Sequence, residues 1–255
     1  MNNFWAIFKR EIRVYFASPI AYAVMIIFLV LAGYFFYSSM TYYVLASFQA
    51  ARNPNLQGLN VIDMVLSPLF GNLSIILLLM LPVLTMRMFS EEKKSGAHEL
   101  LFSYPVRDME VLLGKYAASL CVVLLMIGLT ALYQLFLWGY GLWEPGVALS
   151  GYLGLVLLAA AFVSLGIFIS SLTENQVVAA VVSFGVLLMF WVVGWSAAQA
   201  GGPLKDVLVY VSLVKHLSNF AKGIVDTADV FYYLCFIFLF LFLTLRSLES
   251  KRWRG

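Results

Sequence analysis

The chain has 255 residues, of which 63% are hydrophobic, 16% aromatic and 11% charged, and its mean hydropathy is +0.93. Soluble domains contain about 25% charged residues, so this composition excludes a soluble enzyme, a nucleic-acid-binding domain and a disordered protein. It indicates an integral membrane protein. The net charge of +3 is small, and the position of the charges along the chain says more than their sum.

Six apolar stretches are long enough to cross a membrane, because a hydrocarbon core of about 30 Å needs roughly 20 helical residues. They are Ile20–Met40, Leu69–Met86, Lys115–Gly139, Gly151–Leu172, Val177–Ala197 and Val230–Leu245. Their unbroken hydrophobicity predicts helices, since the strands of a membrane barrel alternate with period two. The predicted fold is therefore an all-α polytopic membrane protein with six spans.

The basic residues are distributed unevenly between the segments that connect these spans. Twelve of the 16 Lys and Arg residues fall on the side of both termini and four on the other side. Cytoplasmic loops carry the excess of Lys and Arg. The sequence therefore predicts that both termini are cytoplasmic.

The span interiors offer little chemistry, because they contain no Asp, Glu, Arg or His. Lys115 lies at the start of its span, where its ammonium group is expected to snorkel to the cytoplasm. Proton relays and general acid–base catalysis need titratable groups at membrane depth. The sequence thus predicts that the chain is not an enzyme.

Neither a metal site nor a nucleotide site is expected. The few Cys and His residues (Cys121, Cys235, His98 and His216) show no metal-ligating spacing. The Gly114–Lys115 pair lacks the rest of a phosphate-binding loop. If the protein performs energised work, a separate subunit must hydrolyse the nucleotide.

Polar side chains occur within the spans, among them Asn72, Ser74 and Gln134. They could line a substrate pathway, or they could form hydrogen bonds between helices. The sequence leaves both interpretations open. In the fourth span, small residues at Gly154, Ala160 and Ser164 predict close helix packing.

The leader Phe4–Phe16 is predicted to be an amphipathic helix, with Lys9, Arg10 and Arg13 on one face. Such a helix lies in the plane of the membrane interface, and Ser18–Pro19 is expected to end it. Glu11 departs from the pattern because it projects from the apolar face. Its carboxylate either pairs with a Lys or Arg of a neighbouring helix or snorkels to the headgroups.

The polar segment Arg87–Lys115 is the most distinctive part of the sequence. Ser90 followed by Glu91 and Glu92 predicts a helix start, with acidic groups near the positive end of the helix dipole. A second short helix is expected around Ala97–Tyr104, where it would present the apolar side chains of Leu100, Leu101 and Phe102. This element is either a plug for a cleft in a partner protein or a solvated loop.

The segment Asp206–Gly223 is predicted to form an interfacial or re-entrant helix pair. On a helical projection one arc is polar: Ser212, Lys215, His216, Asn219 and Lys222. The other arc is apolar: Val207, Tyr210, Leu213, Leu217, Phe220 and Ala221. His216 is expected to contact a headgroup or make a hydrogen bond rather than act as a ligand.

Four segments, in this order, resemble the permeases of ABC-2-type transporters. They are KREIRVYFASPIAYAV (Lys9–Val24), the run Glu91–Lys115, SLTENQVVAAVVSF (Ser171–Phe184) and HLSNFAKGIVDTADVFYYL (His216–Leu234). The gliding-motility-associated permease subfamily is the most similar. Ala97 stands where Thr or Ser is more usual in that family.

The resemblance implies one transmembrane domain over residues 1–255, with an elbow helix at 1–19, a cytoplasmic coupling loop at 87–114 and an outer re-entrant segment at 198–229 that serves as a gate. It implies contact with an ATPase through the coupling loop. The turn Thr173–Gln176 is either a second cytoplasmic contact element or purely a connector between helices. The residues implied for the ATPase contact are Glu91, Glu92, Gly96, His98, Glu99, Leu100, Leu101 and Glu174. The residues assigned to the elbow helix are Lys9, Arg10, Glu11 and Arg13.

The resemblance also implies partners and a location. The partners are a second permease copy or close paralogue, a cytosolic ATPase dimer that carries ATP and Mg, and an auxiliary membrane protein with a large external domain. The location is the inner membrane of a bacterium. The expected function is ATP-driven export or mechanical transmission to an external partner, and the alternative is a membrane scaffold that moves no solute. The sequence does not indicate a substrate.

Overall fold

The computed structural model describes residues 2–52, 60–94, 107–197 and 203–252, and these ranges are almost entirely helical. The helices are α1 (Asn2–Ala17), α2 (Pro19–Arg52), α3 (Ser67–Thr85), α4 (Arg87–Lys94), α5 (Asp108–Thr130), α6 (Leu132–Gly139), α7 (Pro145–Leu172), α8 (Gln176–Ala197), α9 (Pro203–Val211), α10 (Leu213–Ala221) and α11 (Thr227–Arg252). A π-helical turn, Ile62–Leu66, precedes α3.

The six predicted spans are confirmed, since six helical stretches are long and apolar enough to cross a membrane. The first span is α2. The second is α3 together with the π-helical turn before it and α4 after it. The others are α5 with α6, α7, α8 and α11. Each of these helical stretches extends beyond the predicted span at one end or both. The first span, for example, was predicted to end at Met40, but α2 continues to Arg52.

The prediction that Ser90 begins a helix is wrong. Ser90 lies in the middle of α4, and its hydroxyl donates a hydrogen bond to the carbonyl of Met86. Met86 is the one residue between α3 and α4, and its N–H donates to the carbonyl of Pro82. Burial of Met88 and Phe89 against the bundle outweighs the capping preference of Ser90. Thus α4 continues the direction of α3.

The core of the bundle is α7. In its most apolar 18-residue stretch 78% of the residues are buried, against 17% in that of α8 and 22% in that of α11. The close packing predicted from small residues is confirmed. A Cβ atom added at Gly154 would lie 2.6 Å from the Cβ of Phe220 on α10. Ala160 and Ser164 are also buried. Small residues let helix backbones approach closely in membranes.

The helices define two ends of the molecule, because successive spans alternate in direction. At one end, called here the elbow end, the hydroxyl of Tyr15 on α1 donates to the carbonyl of Leu84 on α3. At the opposite, far end, the hydroxyl of Ser150 on α7 donates to the carbonyl of Phe220 on α10. The predicted break at Ser18 is confirmed, as α1 ends at Ala17 and α2 begins at Pro19.

Candidate functional site

A buried ion cluster lies at the elbow end, centred on Lys115 of α5. The ammonium group of Lys115 donates to Glu11 Oε1 at 3.0 Å, to Glu92 Oε1 at 2.8 Å and to the carbonyl of Met88 at 2.9 Å. Lys115 is only 2% exposed. The expectation that it snorkels to solvent is therefore wrong. Three acceptors from neighbouring helices satisfy its three donors, so burial is tolerated.

Glu11 shows how α1 is attached to the bundle. Of the two interpretations left open by the sequence, pairing with a basic residue of another helix is confirmed, since Glu11 is buried against Lys115. Glu92 of α4 completes the cluster and also lies 3.5 Å from the guanidinium group of Arg10. One lysine thereby joins three helices, α1, α4 and α5.

Tyr15 supports the same junction from one turn further along α1. Its hydroxyl lies 3.1 Å from both the carbonyl of Leu84 and the sulfur of Met88, and 3.4 Å from the hydroxyl of Ser119. Burial raises the pKa of Tyr15 above its usual range, so the hydroxyl remains a hydrogen-bond donor. The elbow helix is thus fixed by neutral and charged contacts together.

A second set of contacts fixes α4 to the end of α7. The hydroxyl of Ser170 accepts hydrogen bonds from the backbone N–H groups of Phe89 at 3.1 Å and Ser90 at 3.2 Å. The same hydroxyl donates to the carbonyl of Met86 at 2.8 Å. The ammonium group of Lys93 donates to the carbonyl of Ser171. These contacts lie next to the turn that joins α7 to α8.

The structure brings two of the predicted coupling elements together. A surface pocket of about 420 Å³ is lined by Lys94, at the end of α4, and by residues 174–177 of the turn between α7 and α8. Glu91 is exposed and lies 4.0 Å from Arg87, and Glu174 is exposed as well. Glu92, in contrast, points into the ion cluster.

Five of the predicted coupling residues lie outside the described residues: Gly96, His98, Glu99, Leu100 and Leu101. In α1, Lys9, Arg10 and Arg13 are exposed, and Glu11 is buried, as the amphipathic pattern predicts for the basic residues. That α1 lies in the membrane interface stays a prediction.

The structure places the three candidate pathway residues, Asn72, Ser74 and Gln134, in different surroundings. Asn72 is half-buried. Ser74 is fully buried and donates to the carbonyl of Gly71 in its own helix. Gln134 is 7% exposed, and neither of its amide atoms makes a hydrogen bond within the described part of the chain. Whether these residues line a pathway or join helices stays open.

At the far end, His216 of α10 takes part in a second buried cluster. Its Nδ1 lies 2.5 Å from Asp229 Oδ1, and its Nε2 lies 2.8 Å from the carbonyl of Tyr210. Asn219 donates to the other oxygen of Asp229 at 2.8 Å. The prediction that His216 makes a hydrogen bond is confirmed.

The predicted division of this segment into two arcs is confirmed only in part: Leu213, Leu217, Phe220 and Ala221 are buried, and Lys215 and Lys222 are exposed. His216 and Ser212, assigned to the polar arc, are buried. Val207 and Tyr210, assigned to the apolar arc, are exposed. The reason is that the helix breaks at Ser212, so that α9 and α10 do not share one helical projection.

Sequence reasoning missed Asp229 altogether. The carboxylate lies one residue before the predicted start of the last span, where it reads as part of a connecting loop. In the structure it belongs to the first turn of α11. The partner of His216 could have been found only by knowing how α10 folds back on α11.

A family model supplies the identification. The model for the ABC-2 family transporter protein matches residues 5–225, which include most of α1 and all of α2 through α10. The chain belongs to the ABC-2 transporter family. An ABC-2 protein of this kind is the permease subunit of an ABC transporter, a membrane subunit that is generally not catalytic. No curated protein matches the chain.

Proposed function

We propose that this ABC-2 permease is driven by a separate cytosolic ATPase that docks at the elbow end, on α4 and on the turn between α7 and α8. One observation carries the proposal: α4 is fixed at once to α1 and α5 through Lys115 and to α7 through Ser170. A helix held from several sides moves with its neighbours as a rigid body. Force applied to α4 would therefore reach three helices directly.

The exposed groups around this junction are suited to direct contact with the ATPase. Glu91 and Lys94 on α4 and Glu174 on the adjacent turn face solvent. By the resemblance, residues 96–101 would take part in the same contact, and they lie outside the described residues. Glu92 would act differently, because its side chain is directed at Lys115 and would transmit rather than receive the contact.

We also propose that two copies, or one copy and a close paralogue, assemble through α8. Val181, Met189 and Val192 are exposed on this helix. Gly185 lies on the same face, and a Cβ atom added there would meet nothing within 4 Å. A small residue between apolar neighbours suits helix–helix packing in a bilayer.

We propose that both termini lie in the cytoplasm of a bacterium, so that the elbow end faces inward. We also propose that the protein is a permease of the gliding-motility-associated type. The length of α2 supports work on an external partner such as an auxiliary membrane protein. Its 34 residues span about 51 Å, whereas the hydrocarbon core is about 30 Å thick. The excess of about 20 Å would carry α2 through the headgroup region at the far end, toward an external partner. ATP and Mg would be bound by the ATPase.

The coupling proposal is tested by charge reversal. The permease is co-expressed with a candidate cytosolic ABC ATPase and purified in nanodiscs, and the ATPase rate is compared with that of the ATPase alone. Glu91→Lys and Glu174→Lys are expected to weaken docking by about tenfold or more, equivalent to about 1.4 kcal/mol. They should lower the permease-dependent stimulation accordingly without affecting membrane insertion.

Glu249→Lys provides the matched control. Glu249 is an acidic residue on the surface of α11, near its C-terminal end, where it pairs with Arg246. We expect this variant to stimulate the ATPase as the wild type does. If Glu91→Lys and Glu174→Lys stimulate normally as well, α4 is not the docking site. Movement of a labelled lipid or solute by the reconstituted complex separates transport from force transmission without transport.

A further inference from the structure

The hydrogen bonds of His216 require a proton beyond those of a neutral imidazole and a carboxylate. The carbonyl of Tyr210 can only accept, so Nε2 must carry a hydrogen atom. A neutral ring has one N–H, and Nδ1 would then direct its lone pair at Asp229 Oδ1, only 2.5 Å away. The contact is favourable only when one further proton lies between the two groups.

The surroundings favour placing this proton on the ring, as an imidazolium beside a carboxylate. Asn219 donates to the second oxygen of Asp229 at 2.8 Å. Asp229 lies in the first turn of α11, where the helix dipole stabilises negative charge. The ring of Tyr232 stacks on the ring of His216 with 4.0 Å between the centroids, which favours a cationic ring.

Few other ionisable groups face the pair. Tyr210 from α9 and Tyr233 from α11 have ring centroids 5.5 and 6.2 Å from the imidazole. The hydroxyls of Tyr232 and Tyr233 donate to backbone carbonyls and are therefore protonated. On α10 itself, Lys215 is exposed. The helices α3, α7 and α8, which pack on α10, contain no charged residue and no histidine.

The pair joins three elements across the break at Ser212. His216 lies on α10, Asp229 on α11, and the carbonyl of Tyr210 on the last turn of α9. Two further hydrogen bonds bracket the same break, from Tyr232 to the carbonyl of Val211 and from Tyr233 to that of Leu213. The protonation state of the pair therefore bears on how α9 and α10 are held.

We propose that the His216–Asp229 pair is a proton-operated latch that holds α9 and α10 on the far end of the bundle. With its proton the pair connects α9 to α11 through the imidazole ring. When the proton leaves to the solution at the far end, the Nδ1 hydrogen bond is replaced by a lone pair facing a carboxylate, and α9 is released to shift against α10, which stays packed on α7. The latch depends on far-end geometry alone and not on ATPase docking.

The test measures the position of α9 against pH. Cys121 and Cys235 are replaced by serine, and spin labels are attached at Val207→Cys on α9 and Leu149→Cys on α7, both exposed positions. The full-length protein is studied in nanodiscs at about pH 5.5 and about pH 8.5, which bracket the range in which histidine changes charge. We expect one narrow distance distribution at the lower pH and a broader one, longer by a few ångström, at the higher pH.

Asp229→Asn is the decisive variant. An asparagine amide can donate to Nδ1 of a neutral ring while its carbonyl accepts from Asn219, so the contact forms without the extra proton. We expect a narrow distribution at both pH values. His216→Gln, which cannot titrate, should likewise show no pH response, and it covers the case in which Asp229→Asn fails to fold.

Asp226→Asn is the matched control. Asp226 lies three residues from Asp229, and its side chain caps the N–H of Ala228 instead of facing the ring. Because asparagine caps equally well, the variant should respond to pH as the wild type does. Identical distributions at both pH values in the wild type would overturn the latch. So would a wild-type response in Asp229→Asn, or a lost response in Asp226→Asn.

Discussion

The two ends of this ABC-2 permease are joined in similar ways by different side chains. At the elbow end, Lys115 lies between two carboxylates and a backbone carbonyl. At the far end, His216 lies between one carboxylate and a backbone carbonyl. Each buried base connects three helices. The proposed latch makes the far-end junction adjustable by loss of a proton, whereas two carboxylates hold the single ammonium group of Lys115 at the elbow end.

The surrounding groups strengthen this contrast. The elbow-end cluster has a second cation, Arg10, and the neighbouring hydroxyl of Tyr15. The far-end pair is surrounded instead by aromatic rings and amide groups. Loss of one contact should therefore lower the free energy of unfolding less at the elbow end than at the far end, unless Lys115 itself is removed.

The largest effect is expected from Lys115→Met. It leaves the carboxylates of Glu11 and Glu92 buried without their shared cation, and breaking a buried pair in this way costs about 3–5 kcal/mol. The free energy of unfolding, measured by denaturant titration in mixed micelles, should fall by this amount. Lys94→Met, an exposed change on α4, should stay within about 0.5 kcal/mol of the wild type.

A rescue variant shows whether the cost comes from charge. In Lys115→Met combined with Glu11→Gln and Glu92→Gln, the uncompensated charges are gone, so most of the lost stability should return. If the triple variant is no more stable than Lys115→Met alone, shape rather than charge holds the elbow end together.

Alanine at the contact glycines comes next in size. A Cβ at Gly154 would lie 2.6 Å from the Cβ of Phe220, which is buried and cannot move aside easily. We expect a loss of about 1–3 kcal/mol in the free energy of unfolding. A Cβ at Gly114 would lie 2.8 Å from Cγ2 and 3.1 Å from Cβ of Ile7, a side chain that is only half-buried on α1. The loss there should be smaller.

Gly128→Ala serves as the control in this series, because a Cβ at Gly128 meets nothing within 4 Å. It should raise the unfolding free energy by up to about 1 kcal/mol through helix propensity. An equal loss at Gly154 and Gly114 would contradict the expectation that half-buried Ile7 gives way more easily than buried Phe220.

The smallest effect is expected for Tyr15→Phe. The change removes a buried hydroxyl whose neighbours retain other partners, and we expect a loss of about 1 kcal/mol in the same titration. Tyr22→Phe, at a 47% exposed position on α2, should be near neutral. A loss at Tyr15 as large as that of Lys115→Met would mean that the ion cluster is not the main fastening of α1.

Hydropathy alone predicted the six spans, because a bilayer imposes length and apolarity on each helix independently of its neighbours. The break at Ser18–Pro19 was also predicted, since proline acts locally. The apolar position of Glu11 on the helical projection indicated that it needs a partner. Such features are set by residues within one or two turns of each other.

The partners themselves could not be predicted, because they depend on which helices meet. Glu11 and Lys115 are 104 positions apart, and nothing local connects them. His216 and Asp229 are closer, at 13 positions, but the helix break at Ser212 changes which faces are buried. Tertiary packing likewise decided the start of α4, where Met88 and Phe89 continued a helix that Ser90 would otherwise have begun.

The near-continuity of α3 and α4 has a mechanical consequence. With the π-helical turn at Ile62–Leu66, they form a stretch of 33 residues, Ile62–Lys94, that crosses the whole bundle. At 1.5 Å per residue this rod is about 50 Å long, so a tilt of about 5° at one tip displaces the other by about 4 Å. A displacement of α4 at Glu91 would thus move the backbone beside Val61, on the opposite side of the bilayer, without passing through any loop.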